Sequence, residues 1–391
     1  MVKRQVEPVI TEYLHNKAAR LGIPLNGTFE LTPLCNMNCR MCYIRKEKKE
    51  QEAIRPLRTA EEWLALGETA KERGMVYLLL TGGEPFLRED FRQIMQGLHR
   101  MGFVLSINSN GTMIDEKTVE WIKDTPPIRI NITLYGASNE TYARLCGNPR
   151  GFTQVTRAIR LLKEAGITVK LNCSVTPYNA DDLEQIFAFG EKEGLVVQAT
   201  SYMFPPVRRD QNMTGWNDRF TAEDAALQEA RISLYQNGQE SFLKYMESEQ
   251  FAGLSAEIED DCMLLDEEKP PVDGEGERIR CRAGKCSFWV AWDGRFLPCG
   301  MLPGRNALNV FDAGFDAAWE HTRNEAAAIR LPVRCAACSL KDKCRACAAM
   351  VYTESGDYSK VPLYRCEMAH AYLSACRKLE KKIRQEGQKQ L

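Results

Sequence analysis

Cysteine is spread very unevenly along this chain of 391 residues: it carries fifteen, and most fall in two zones. Near the front stands Cys35-Asn36-Met37-Asn38-Cys39-Arg40-Met41-Cys42, a C-x3-C-x2-C triplet. Three thiolates this close can hold three irons of a cubane and leave the fourth iron open, as a catalytic metal keeps a vacant position. An open iron can chelate a substrate or cofactor and pass it an electron. The competing reading is an incomplete zinc knuckle or a set of reduced core thiols. With no neighbouring His or fourth Cys, the triplet makes a poor structural zinc site.

The last third holds Cys281, Cys286, Cys299, Cys335, Cys338, Cys344, Cys347 and Cys366. Residues 335–347 read C-x2-C-x5-C-x2-C. Paired C-x2-C units suit a zinc ribbon, but a five-residue gap is short for the ribbon's hairpins. Upstream, Phe288-Trp289-Val290-Ala291-Trp292-Asp293-Gly294-Arg295-Phe296 reads as a hairpin turning at Asp293-Gly294. Cys146, Cys173, Cys262 and Cys376 stand apart and are expected to be small structural hydrophobes.

The elements that must position these residues follow from composition and periodicity. Hydrophobic residues make up 44% and charged residues 27%, enough apolar surface for a sizeable core and incompatible with a disordered or repetitive chain. Lys+Arg 52 against Asp+Glu 53 leaves a charge of −1, which argues against a nucleic-acid or anionic-membrane binder. The first residues lack the apolar core of a signal peptide, and no run reaches membrane-spanning length. The expectation is a cytoplasmic protein with reduced thiols.

Short β-rich runs at 28–32, 76–80, 103–107, 128–134, 168–175 and 196–201 alternate with helical stretches, including one capped by Thr59 and running to about residue 73. Six strands, each followed by a helix, predict a parallel sheet with right-handed crossovers. The fold class is α/β: an open, partial (β/α)6 barrel followed by a small cysteine-rich domain. The expected division is an N-terminal helix (1–24), the barrel (25–205), connecting helices and a bridging segment (206–280), the cysteine-rich domain (281–370) and a C-terminal helix (371–391). Within the bridge lie the acidic stretch 257–261 and the polar loop 269–276.

The triplet, followed by the aromatic Tyr43, resembles the signature of the radical S-adenosylmethionine (SAM) enzymes. The second strand ends in Thr81-Gly82-Gly83-Glu84-Pro85, which is similar to that family's GGEP motif. The resemblance implies a TIM-like partial barrel with a [4Fe-4S] cluster on Cys35, Cys39 and Cys42. It implies SAM contacts from Met41, Tyr43, Gly82, Gly83, Glu84 and Pro85, with the motif receiving SAM's amino group. It extends to Asn108 and Ser109 at the end of the third strand, Thr133 on the fourth, and Arg144 as the basic residue meeting the SAM carboxylate.

The rear cysteines resemble the SPASM domain, which carries two auxiliary [4Fe-4S] clusters. Carried over in order, Cys281, Cys286, Cys299 and Cys347 bind the first, and Cys335, Cys338, Cys344 and Cys366 the second. The last C-x2-C is C-x3-C more commonly in that family, so the sequence leaves the place of Cys347 less defined than the rest.

What the resemblance implies is a SAM-cleaving oxidoreductase with three [4Fe-4S] clusters, fed by an external one-electron reductant. Its 5′-deoxyadenosyl radical abstracts a substrate hydrogen, and the auxiliary clusters take up an electron. The expected substrate is a ribosomally made precursor peptide that gains a crosslink, a dehydrogenation or a rearrangement. Fewer than thirty residues precede the first strand, so leader recognition is expected to use a separate protein, the bridging segment or the barrel surface. Sulfatase-maturing relatives carry an acidic base after the hairpin cysteine; here Gly300 follows Cys299, which disfavours formylglycine formation. No catalytic acid or base is nominated. The alternatives are oxidation of a protein side chain or a small molecule, an Fe–S electron-transfer scaffold without turnover, and a zinc-dependent nucleic-acid binder.

Overall fold

The computed structural model describes residues 9–253 and 275–388. The acidic stretch 257–261, Cys262 and most of the loop 269–276 lie outside the described residues.

Six parallel strands form the body of the sheet: β1 (Asn26–Glu30), β2 (Tyr77–Thr81), β3 (Val104–Ser109), β4 (Arg129–Thr133), β5 (Val169–Ser174) and β6 (Val197–Thr200). They lie in sequence order with helices between them, the alternating pattern anticipated from the sequence. Local chemistry sets the helix ends. Thr59 caps Ala60–Glu72 through a capping box with Glu62, and Asp115 and Ser138 cap Glu116–Asp124 and Asn139–Cys146. Two short helices, Lys48–Ile54 and Asn139–Cys146, interrupt stretches that the periodicity leaves as connections.

The hairpin does not stand apart from the barrel. Its first strand, β7 (Ser287–Val290), pairs in parallel with β1, and β8 (Phe296–Leu297) returns antiparallel, making one eight-stranded sheet in the order β6-β5-β4-β3-β2-β1-β7-β8. Sequence separation hides this pairing, because a strand's partner is chosen by packing rather than by local pattern. Phe288 provides the packing, set among Phe296, Phe315 and Trp319.

The register aligns one apolar row across the sheet: Val290, Phe29, Leu80, Ile107, Ile130 and Val169. These side chains are buried against the helices. Alternation turns the next residues to the opposite face, where Asn108 pairs with Asn131, and Thr133 with Asn172. The barrel interior is thus polar and half-exposed, and its outer face is the core.

Helix Ala222–Asn237 packs along Leu363–Gln388 through Ala225, Ala226 and Ala230 against Tyr372, Leu373 and Cys376. The C-terminal helix begins at Leu363, so a boundary at 370/371 falls inside one continuous helix that also carries Cys366 in its first turn. No helix among the described residues is long and apolar enough to cross a membrane.

Candidate active site

The loops that leave the C-terminal ends of the parallel strands carry the candidate residues, the end of the sheet where barrels of parallel strands place their sites. The front cysteines follow β1 and lie against the loop after β2. Gly83 N–H donates to Thr32 O at 2.7 Å and Glu84 N–H to Leu34 O at 2.9 Å. A Cβ on Gly83 would meet Leu34 O, so only glycine admits this backbone-on-backbone approach. Helix Asn139–Cys146 holds the other side of the cysteine loop, its last carbonyls accepting from Asn38 N–H and Arg40 N–H.

Each front sulfur has a hydrogen-bond donor. Cys35 Sγ accepts from Met37 N–H at 3.4 Å and Asn110 Nδ2 at 3.6 Å, and Cys42 Sγ accepts from Arg45 N–H at 3.3 Å. The Tyr135 hydroxyl reaches Cys39, which also contacts the buried thiol of Cys146. Burial pushes the Cys35 thiol up to about 12 and raises Cys42; the contact with Cys146, followed by burial, raises Cys39. Thiols in such a setting ionise when a cation replaces their protons, and N–H donors on sulfur are what a thiolate-bound cluster uses. No three His, Cys, Asp or Glu side chains among the described residues converge as ligands of a single ion would. A cubane asks for thiolates at separate corners instead.

Glu84 is wholly buried. One carboxylate oxygen accepts from Ser109 Oγ at 2.9 Å and Phe86 N–H at 3.2 Å, and the other from Asn110 N–H at 2.7 Å. It caps the 3-10 turn Pro85–Leu87, with Pro85 at the first position. Burial raises its carboxyl to about 7 against these three donors. The side chain therefore ties the end of β2 to the end of β3, and Ser109 serves it from the outer face of the strand.

Asn108 and Thr133 lie on the inner face, Asn108 accepting from Asn131 Nδ2 at 2.8 Å. Asn131 Oδ1 is buried without a partner, a polar atom that a ligand inside the barrel could satisfy. Met41 is buried and Tyr43 half-buried beside Cys42. Arg144 is exposed, and its guanidinium donates to Tyr178 O at 3.2 and 2.6 Å, joining the β5 loop to helix Asn139–Cys146. Across that junction Tyr178 donates to Asp218, which also pairs with Arg40.

The rear cysteines fall into two groups. Cys286, Cys299 and Cys347 each feel the charge of Cys281, and Cys299 also feels that of Cys347. Burial holds Cys299 up at about 11. Cys335, Cys338, Cys344 and Cys366 line a small cavity of about 50 Å³ with Leu331, Leu340, Val361, Pro362 and Ala369. Arg365 donates to Cys344 O and pairs with Glu229, which also pairs with Lys343, pinning this group to helix Ala222–Asn237. Cys173 is buried in β5 and Cys376 in the C-terminal helix. Every cysteine among the described residues is free of disulfide.

Several residues that the sequence reading passes over prove central. Asn110 directly follows Ser109 and Tyr135 lies two residues beyond Thr133, each just past a strand-end residue singled out. Glu30 offered a signal, a lone charge between Phe29 and Leu31. Arg208 offered none.

Residues 29–190 match the model of the Radical SAM superfamily. Over 353 residues the chain is 24% identical to the AdoMet-dependent heme synthase of Methanosarcina barkeri, covering 87% of this chain and 95% of that protein. It is 25% identical over 333 residues to the antilisterial bacteriocin subtilosin biosynthesis protein AlbA of Bacillus subtilis, covering 82% of this chain and 65% of that one. Its fold resembles Streptococcus suis SuiB bound to precursor peptide SuiA, with a TM-score of 0.60 and 17% identity over 91% of this chain and 81% of that one. Residues 29–190 are thus a radical SAM domain, and the chain is an enzyme that carries it.

Proposed function

We propose that this enzyme is a SPASM-type maturase that oxidatively modifies a ribosomally made precursor peptide. The observation that supports the reading is that Cys286, Cys299 and Cys347 all feel the charge of Cys281, while Cys335, Cys338, Cys344 and Cys366 line one small cavity. Cys35, Cys39 and Cys42 would hold the SAM-binding cluster, Cys281, Cys286, Cys299 and Cys347 the first auxiliary cluster, and Cys335, Cys338, Cys344 and Cys366 the second. Together with SAM these groups supply one-electron cleavage of a C–S bond, hydrogen abstraction and removal of an electron from the substrate.

The chain's own residues do the positioning. Gly82, Gly83 and Pro85 shape the close approach to the cysteine loop, while Asn108, Asn131 and Thr133 present polar groups inside the barrel. SuiB was solved with a precursor peptide, and AlbA is named for bacteriocin biosynthesis, which supports a peptide substrate. A cytoplasmic setting and an external one-electron reductant belong to the same reading. A second reading, oxidation of a small molecule, is favoured by the heme-synthase relative, whose likeness spans most of both chains.

Anaerobic reconstitution followed by iron and sulfide analysis, with an assay for 5′-deoxyadenosine after reduction with SAM, tests the proposal. About twelve irons and deoxyadenosine formation are expected, four irons to each cubane. Zinc in place of iron, or no SAM cleavage by fully loaded protein, would overturn it.

A further inference from the structure

We infer that a basic cavity at the seam of the open barrel recognises a carboxylate of the substrate; the inference rests on the radical SAM reading above and deepens it. The cavity holds about 200 Å³ and is built where the two ends of the sheet face one another. Arg208, Arg209 and Gln211 come from the segment after β6, Trp292, Asp293 and Arg295 from the β7–β8 turn, and Ile44 and Lys46 from the chain just past Cys42. All of these follow the C-terminal ends of parallel strands, the face that carries the front cysteines. Arg208 also lies over the ring of Tyr43 at 5.7 Å, next to Cys42.

Charge gives the ligand class. Four cations, Lys46, Arg208, Arg209 and Arg295, line a space whose one carboxylate is Asp293. Asp293 is taken by Arg295 at 2.8 Å, and Arg208 is taken by Glu30 at 2.6 Å behind the wall. Lys46 and Arg209 make no side-chain hydrogen bond or ion pair with any described residue. Arg208 keeps its Nε buried without an acceptor on a side chain only 3% exposed. Clustered cations and an orphaned buried donor are costly unless an anion enters among them, and guanidinium groups match a carboxylate fork. Ile44, Ile54 and Trp292 supply apolar walls for the part of the substrate that bears it. Both substrate classes raised above offer carboxylates: an acidic side chain of a peptide, or the propionates of a haem-like molecule.

The test is equilibrium binding to the reconstituted protein with two matched probe pairs. One is a fluorescein-labelled peptide carrying glutamates and its glutamine counterpart; the other is haemin and its dimethyl ester. At least one acidic probe is expected to bind about tenfold or more tightly than its neutral counterpart, roughly 1.4 kcal/mol. The preference is expected to fall to near unity in K46Q/R209Q and to survive in K46R/R209K. The pair that shows it tells peptide from small molecule. Equal binding within both pairs overturns the inference, as does a preference that persists in K46Q/R209Q or disappears in K46R/R209K. Deoxyadenosine formation by the unaltered protein is scored alongside. Its absence with the carboxylate preference intact would sink the radical SAM reading, whereas its presence without the preference would sink only this site.

Discussion

The carboxylate of Glu30, at the end of β1, and the guanidinium of Arg208, beyond β6, form a buried pair at 2.6 and 2.8 Å. Trp289 Nε1 donates to the same carboxylate at 2.9 Å, and Arg208 donates to Gly300 O at 2.8 Å. One ion pair thus joins the strand before the front cysteines, the segment that completes the barrel, and the hairpin beside Cys299.

Removing one partner of such a pair strands a buried charge. Glu30→Gln is expected to destabilise the protein by about 3–5 kcal/mol, while exchanging both partners for apolar residues costs far less. Urea unfolding of E30Q and E30M/R208M measures both, and equal losses would contradict the assignment.

Glu84 makes stability depend on pH in a defined sense. Burial raises its folded carboxyl to about 7 from the ordinary 4.5. Below about 4.5 the group is protonated in both states and carries no penalty. Between there and about 7 the unfolded chain loses the proton first, so this contribution falls as pH rises, by on the order of 3 kcal/mol in total. E84Q should start less stable, because an amide cannot accept from all three donors, and should show a flatter profile between pH 5 and 8. Parallel profiles would refute the assignment.

Asn110 donates to Cys35 Sγ, and a donor on sulfur favours the more negative, reduced form of a cluster held there. Asn110→Leu is expected to lower the midpoint potential by roughly tens of millivolts, where ~59 mV is tenfold in a one-electron equilibrium. Redox titration followed by EPR reads this directly; an unchanged or higher potential would count against it.

Cys335→Ala with Cys338→Ala removes half of one rear group. Iron content is expected to drop from about twelve to about eight per chain, with SAM cleavage persisting after product formation has stopped. Loss of iron from the front site as well would show that the groups are not separate.

The strand and helix sequence, the capped helix after Thr59, the hairpin turn at Asp293-Gly294 and the glycine pair before Glu84 were legible because each depends on neighbours a few residues away. Periodicity, capping chemistry and the space demanded by a Cβ all act at that range. The cysteine spacings announced iron–sulfur chemistry for the same reason. Other features depended on residues brought together from far along the chain. The family resemblance grouped Cys347 with Cys281, Cys286 and Cys299 less firmly than the rest, and only in the fold does the charge of Cys281 act on it. Ser109 and Thr133 read alike as strand-end polar residues, and the pleat sends one outward to Glu84 and the other inward. Arg208 carried no signal at all, because its partner Glu30 stands on the opposite side of the barrel sequence. The packing of β7 on β1 and the closure of the chain after β6 decide that meeting, since local pattern specifies which face a residue takes but tertiary packing selects what it faces.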